Sequence, residues 1–175
     1  MTTLALKTRV LTVGRLYSGL IFAGLRRRQS LGTAVFTSGF GAHAGGGAFI
    51  TAAHLTQLGH ATSMVTMLPP PPFIALIRTE LEASKVDLSL SVQLAPTDGP
   101  QITVAMAESG DRAFLTRRVG PAFPKIDAPM IAEHGFSHLH VGELERLIAH
   151  PEILATARGL GMTISADCGG SDDFD

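Results

Sequence analysis

The sequence has no tryptophan, one tyrosine and one cysteine, and only 6% of its 175 residues are aromatic. With Cys168 alone, no intrachain disulfide can form, and a reducing, cytoplasmic setting is expected. Charge is also scarce: 17% of residues are charged and the formal net charge is −1. That leaves no global electrostatic pull toward nucleic acid or an anionic membrane, and neither partner is expected. The one dense basic cluster, Arg26–Arg27–Arg28, reads as a solvated loop. No apolar run approaches the roughly 18 residues a membrane helix needs. Near the N-terminus Arg9 and Arg15 interrupt the apolar stretch, and the triple arginine follows it, the reverse of a signal peptide. Export is not expected.

What the chain does have is apolar content, at 45%, enough for a folded domain with a real core. "RVLTV" (9–13) reads as a buried strand ending at Gly14. "GLIFAGL" (19–25) and "AVFTSGF" (34–40) read as glycine-bearing strands, twisted or bulged, on either side of a polar loop. From Ala48 to Leu58 the pattern turns helical, with Thr51, His54 and Gln57 as a narrow polar strip on a largely buried helix and Gly59 stopping it. "ATSMVTML" (61–68) is a strand ended by Pro69–Pro72. "FIALIRTELEASK" (73–85) is a helix with Phe73, Leu76, Ile77, Leu81 and Ala83 as its apolar face.

"VDLSLSVQL" (86–94) alternates like a half-buried strand. "QITVAMAESGDRAFLTRR" (101–118) reads as two strands around a Glu108–Asp111 turn. "FSHLHV" (136–141) is a strand, "GELERLIAH" and "PEILATARGLG" are helices broken at Pro151, and "MTISAD" (162–167) is a last strand. The outer parts predict a doubly wound α/β sheet, and the glycine-bearing strands a smaller sheet beside it, with a cleft between the layers as the default site.

Three features could carry chemistry. Gly45, Gly46 and Gly47 run straight into a helix, but the spacing matches neither common nucleotide-phosphate loop. They are either a close-approach surface for a ligand or a tight turn with nothing bound. His138 and His140 share one strand face, with Glu143 just beyond and His134 and His150 as further candidates, a pattern some metal-dependent hydrolases use; the bland alternative is a pair of sheet-face histidines. The acidic end "DCGGSDDFD" reads as a solvated terminus. Asp167 differs, because it follows a predicted strand, where α/β sheets place functional groups. Cys168, with no histidine near it in sequence, reads as inert.

Four segments in order resemble the PfkB-type carbohydrate kinases, the ribokinase-like sugar kinases. "RVLTVGRLYSGLIFAGL" is similar to the family's first strand and the start of its lid. "GGGAFITAAHLTQLGH" resembles its glycine signature, usually GG-x-x-x-N-x-A. "ELEASKVDLSL" is similar to its L-x-x-x-G-V-D segment, and "PQITVAMAESGDRAFLTRRVGPAF" to its T-x-x-A-x-V-x-x-x-G-x-R-x-F hairpin.

The resemblance implies a ribokinase-like doubly wound sheet, its N-terminal part only, as one partial domain over 1–175. The lid strands would lie at about 20–42 and 86–118. It implies a sugar or nucleoside held by Gly45, Gly46, Gly47, Phe49 and Glu143, with Asp167 on the phosphate and magnesium side. ATP and Mg2+ are the implied cosubstrate and metal, with most of their site missing from this chain. Lid strands in the family often pair between subunits, so a homodimer is implied too.

The departures are specific. Gly19 stands where relatives carry a sugar-binding aspartate, Phe49 replaces the signature asparagine, and "LPPPPFI" replaces G-D-D-P-F-G. The family's catalytic-base turn, G-A-G-D, is absent, and Ser109–Asp111 in the hairpin is no substitute for it. The chain alone is therefore expected not to phosphorylate sugars, and a noncatalytic sugar-binding or dimerisation module is the alternative.

Overall fold

The computed structural model describes residues 8–27, 29–108 and 110–168. The expectations resting on Arg28, Ser109 and the acidic end beyond Cys168 lie outside these residues, as does the start of the N-terminal segment.

The main sheet holds four parallel strands: β1 (Arg9–Val13), β4 (Ala61–Val65), β9 (His138–Val141) and β10 (Thr163–Ala166), in the order β10-β9-β1-β4. Their apolar residues bury both faces, as in parallel sheets covered on each side. On one face Leu11, Val13, Val65, Leu139 and Val141 pack with Phe136, Ile131, Ile153 and Ala157. On the other, Met64 packs with Ala48, Phe49, Ile77 and Leu81. Each such fully buried aliphatic side chain contributes about 1.5–3 kcal/mol.

The helices α1 (Gly47–Gln57) and α2 (Phe73–Ser84) form the second of these layers. The first comprises α3 (Ala128–Glu133) and α5 (Pro151–Gly159), with α4 (Leu144–Ala149) beside them. The helix α3 has no counterpart among the expected elements. Its signals were nevertheless present: Asp127 caps it, accepting the Met130 N–H at 3.0 Å, a proline sits in its first turn, and Gly135 follows it.

A second sheet has the order β3-β2-β7-β8, from β2 (Tyr17–Leu25), β3 (Gly39–Gly45), β7 (Ile102–Glu108) and β8 (Asp111–Arg117). The pairs β2–β3 and β7–β8 are antiparallel, and β2–β7 is parallel. The expected bulge occurs between Ala23 and Leu25, where Gly24 takes φ 77°. A two-strand pair joins β5 (Met67–Leu68) to β6 (Val92–Gln93).

Several expectations need correction. The second glycine-bearing strand is Gly39–Gly45 rather than 34–40, because the run "GFGAHAG" pairs residue for residue with β2. The segment 86–94 is not a lid strand. Only Val92–Gln93 is strand, and Asp87 joins β4 through a single bridge to Ser63, whose hydroxyl donates to its carboxylate at 2.8 Å. Helix α1 is half-buried, with Ala48, Phe49 and Ala52 inside and Ile50 and Leu58 exposed. In α2 the buried positions are Ile77, Leu81 and Ser84, while Leu76 and Ala83 face outward. The inward face follows the spacing 77–81–84, which the expected set did not keep.

Candidate functional site

In the main sheet β1 lies between β4 and β9, so the chain winds to one side of β1 and later returns to the other. The loops leaving β1 and β9 therefore diverge, opening a crevice at the carboxyl ends of the strands. Gly14 and Gly142 mark the two exits, and the Gly142 N–H donates to Val13 O at 2.9 Å. Helix α1 comes down tightly here. A Cβ on Gly142 would lie 2.2 Å from Ala48 N, and one on Gly47 would lie 2.5 Å from Gly142 O and 2.7 Å from Asp167 Oδ2. Only glycine fits at either position.

The lid sheet supplies the facing wall. Register pairs Tyr17 with Gly45, Gly19 with Thr103 and Thr103 with Thr116. Alternation then puts Tyr17, Thr103 and Thr116 on one side of the lid, and Arg118 follows two residues on. These residues, with Gly47, Gly142, Glu143, Glu145, Asp167 and Cys168, line a cleft of about 350 Å³. The Thr103 and Thr116 hydroxyl oxygens are 3.1 Å apart.

Glu143 is the hub. Tyr17 Oη donates to its Oε1 at 3.0 Å, while Arg15 Nε and Arg146 Nε stand 3.7 and 3.6 Å from its Oε2. Glu145 pairs with Arg118 at 2.8 Å and also with Arg146. Burial, then the charge and hydrogen bond of Glu143, push the Tyr17 phenol well above its ordinary value, so it stays a donor. Arg15 is 5% exposed, and burial pulls its guanidinium below the ordinary arginine range against the opposing pull of Tyr17 and Glu143. Its Nη2 donates to Gly120 O at 3.0 Å, tying the strand leaving the core to the segment that returns from the lid.

Of the residues singled out from sequence, Gly47, Glu143 and Asp167 meet at the cleft. Gly45 ends β3, opposite Tyr17. Gly46 turns the chain at φ 107°, where a Cβ would come within 2.3 Å of Arg15 O. Phe49, expected at the ligand, is 3% exposed and packs in the core with Leu16, Met64 and Ile77. It is three residues into α1 and turns toward the sheet instead of the cleft.

His138 and His140 do share a face, but hydroxyls hold them. His138 bonds Thr163 Oγ1 at 2.7 Å and Ser165 Oγ at 2.9 Å, and His140 bonds Ser165 Oγ at 2.9 Å. Among the described residues no group of three His, Cys, Asp or Glu side chains converges as a metal site. Glu143, just beyond the pair in sequence, is engaged by Tyr17 and the arginines. Sequence reading missed Tyr17, Arg15, Arg118 and Arg146. The Tyr17 signal was its place as the sole tyrosine, at the start of a strand leaving the core; the arginines carried none.

No family model matches the chain, and no curated protein matches it in sequence. Solved structures do. A PfkB family carbohydrate kinase from Listeria grayi superposes with a TM-score of 0.72 at 21% identity, covering 95% of this chain and 53% of that one. The fold is ribokinase-like. A PfkB protein from Polaromonas matches with a TM-score of 0.73 at 18% identity, over 95% of this chain and 57% of that one. A ribokinase from Cryptococcus neoformans in complex with ADP gives 0.69 at 17%, over 91% and 49%. The chain spans about half the length of these ribokinase-like structures, and its parallel sheet and lid correspond to an N-terminal part of that fold. Among the described residues, no helix is long and apolar enough to cross a membrane.

Proposed function

We propose that this chain is the acceptor-binding part of a PfkB-type carbohydrate kinase and that its cleft holds a sugar or nucleoside. The observation that carries the reading is the position of the cleft, at the switch point of a ribokinase-like sheet and beneath its lid. Its chemistry suits a polyol. The Glu143 and Asp167 carboxylates accept from ligand hydroxyls, Thr103 and Thr116 donate or accept, and Gly47 and Gly142 let a ring come close to backbone.

In full-length kinases of this kind a ligand hydroxyl takes the γ-phosphoryl group of ATP with magnesium. On this reading that part lies outside the described residues. Among the described residues no three metal-binding side chains converge. ATP and magnesium would need donors from elsewhere, in keeping with the absence of a G-A-G-D turn. The reading predicts polyol binding by this chain without turnover. Calorimetry across pentoses, hexoses and nucleosides should find at least one ligand, and a coupled ATP-consumption assay on the same panel should stay at background. Absence of any binding refutes the acceptor site, and robust turnover refutes the division of labour.

A second reading, a noncatalytic dimerisation module, draws on the outer face of the lid. Leu20, Phe22, Phe40, Val104, Met106 and Leu115 share that face by register, and the Phe22 and Phe40 rings meet at 55° with centroids 5.3 Å apart. The strands β3 and β8 are both sheet edges. Light scattering tests it: a dimer dissociated by Phe40→Glu supports pairing through this face, and a monomer at high concentration removes it.

A further inference from the structure

We propose that Ser165 is a nucleophile with His138 as its general base, at a second site outside the cleft that takes small acyl esters.

The site lies on the side of the main sheet that faces α1 and α2. Register sets Thr62 and Met64 of β4 beside Val10 and Thr12 of β1. His138 and His140 of β9 come next, and then Thr163 and Ser165 of β10. The β4 and β1 positions are buried. Farther across, the face turns polar: Ser165 is exposed and His138 half-buried. Core packing does not call for that change, since covered parallel strands are apolar on both faces.

Ser165 Oγ lies 2.9 Å from both His138 Nε2 and His140 Nδ1, and His138 Nδ1 lies 2.7 Å from Thr163 Oγ1. The direction of these bonds follows from His140. Its Nε2 is buried with no hydrogen-bond partner among the described residues. A proton there would be a stranded donor, so the proton sits on Nδ1 and is donated to Ser165 Oγ. Ser165 then donates its own proton to His138 Nε2. His138 carries its proton on Nδ1 and donates it to Thr163, whose hydroxyl donates to Ser137 O at 3.4 Å. Nucleophile, base and orienting group thus stand in line. Burial lowers the His138 pKa, which keeps the imidazole neutral and able to accept.

The strand edge supplies an oxyanion donor. The Thr163 and Asp167 N–H groups donate to β9, at Ser137 O and Val141 O. Alternation turns the Ala166 N–H the other way, and β10 is an edge strand among the described residues. The donor directly after the nucleophile therefore faces the open edge. Ser165 Oγ would bond to the ester carbonyl carbon as its proton passes to His138 Nε2. The ester C–O bond then breaks, and that proton leaves on the alcohol. Water adds to the acyl-serine, its proton taken by the same nitrogen and returned to Oγ as the carboxylic acid departs.

A purely structural ladder of hydroxyls and imidazoles would show the same distances but no reactivity. A fluorophosphonate probe separates the two, with the adduct located by mass spectrometry and folding checked by circular dichroism. The native chain should be labelled at Ser165, and p-nitrophenyl acetate turnover should fall to background in Ser165→Ala. Labelling should slow by about 10²-fold in His138→Gln, the scale of a lost general base. Thr163→Val keeps the base but loses its orientation, and should fall between the two. Should His138→Gln fail to fold, Thr163→Val decides, and an unchanged rate there overturns the proposal. No adduct at Ser165, or turnover undiminished in Ser165→Ala, overturns the nucleophile. An adduct formed equally fast in His138→Gln overturns the base.

Discussion

Tyr17 Oη donates a 3.0 Å hydrogen bond to Glu143 Oε1, joining the first residue of the lid sheet to the loop leaving the core strand β9. The two are 126 residues apart in the chain, and their contact defines where lid and core meet. A neutral phenol donating to a carboxylate in a half-buried site is a charge-assisted bond, stronger than a neutral one.

Tyr17→Phe removes that bond and leaves the ring in place. The expected cost is about 1.5–3 kcal/mol of stability, together with weaker polyol binding, because the lid wall loses its tie to Glu143. Thermal denaturation and calorimetry measure both effects, and a variant as stable as the native chain contradicts the assigned bond.

Glu143→Gln should be more damaging. It leaves Arg15 buried without its carboxylate, and removing one partner of a buried pair costs about 3–5 kcal/mol. The long 3.6 and 3.7 Å separations place the expectation at the lower end. Denaturant titration reads the loss, and the double variant Arg15→Met/Glu143→Gln should recover part of it by removing the stranded charge. A double variant weaker than the single one argues against the pairing.

Gly142→Ala tests the close approach of α1. The added methyl would sit 2.2 Å from Ala48 N and 2.7 Å from Ala48 Cβ, both on a buried helix turn that cannot move freely. Overpacking of this kind costs about 1–3 kcal/mol, and ligand binding should fall with it as α1 is pushed off the crevice. Gly59→Ala is the control for backbone strain without crowding, since nothing lies near its Cβ although its φ is 89°.

Stability should also fall on acidification. Burial holds both His138 and His140 below the ordinary histidine value of 6.5; for His140, Asp167 works against burial and His138 with it. A lowered folded-state value means that the unfolded chain binds more protons as pH drops past 6.5. The contribution is fully present above that pH and is lost as pH falls through the window beneath it. Melting temperatures between pH 7.5 and 5.0 should decline, and His140→Gln should flatten the decline. A profile with the same slope in that variant excludes His140 as its source.

Local pattern was sufficient for much of the fold. "RVLTV" is β1 over the predicted residues, Asp111–Arg117 and Ile102–Glu108 form the predicted hairpin, and the helices on either side of His150 break at Pro151. These elements declare themselves through short-range periodicity, turn residues and proline. Alternation misled at 86–94, because an apolar–polar repeat does not say whether a sheet edge is available to pair with. Helix α3 was legible in Asp127, its early proline and Gly135, and went unread.

The sequence by itself determined most of the strands and helices and the glycines that only a close backbone approach requires. Gly47 and Asp167 could be singled out from it by their places beside a helix start and a strand end, and Glu143 by the family resemblance. Only the tertiary structure turned Phe49 into the core, brought Tyr17 onto Glu143 and set Arg15, Arg118 and Arg146 around two glutamates. The reason is physical. Hydrophobic period reports which side of an element is buried, but charge pairing across the lid depends on which elements become neighbours, and residues 126 positions apart carry no local sign of that.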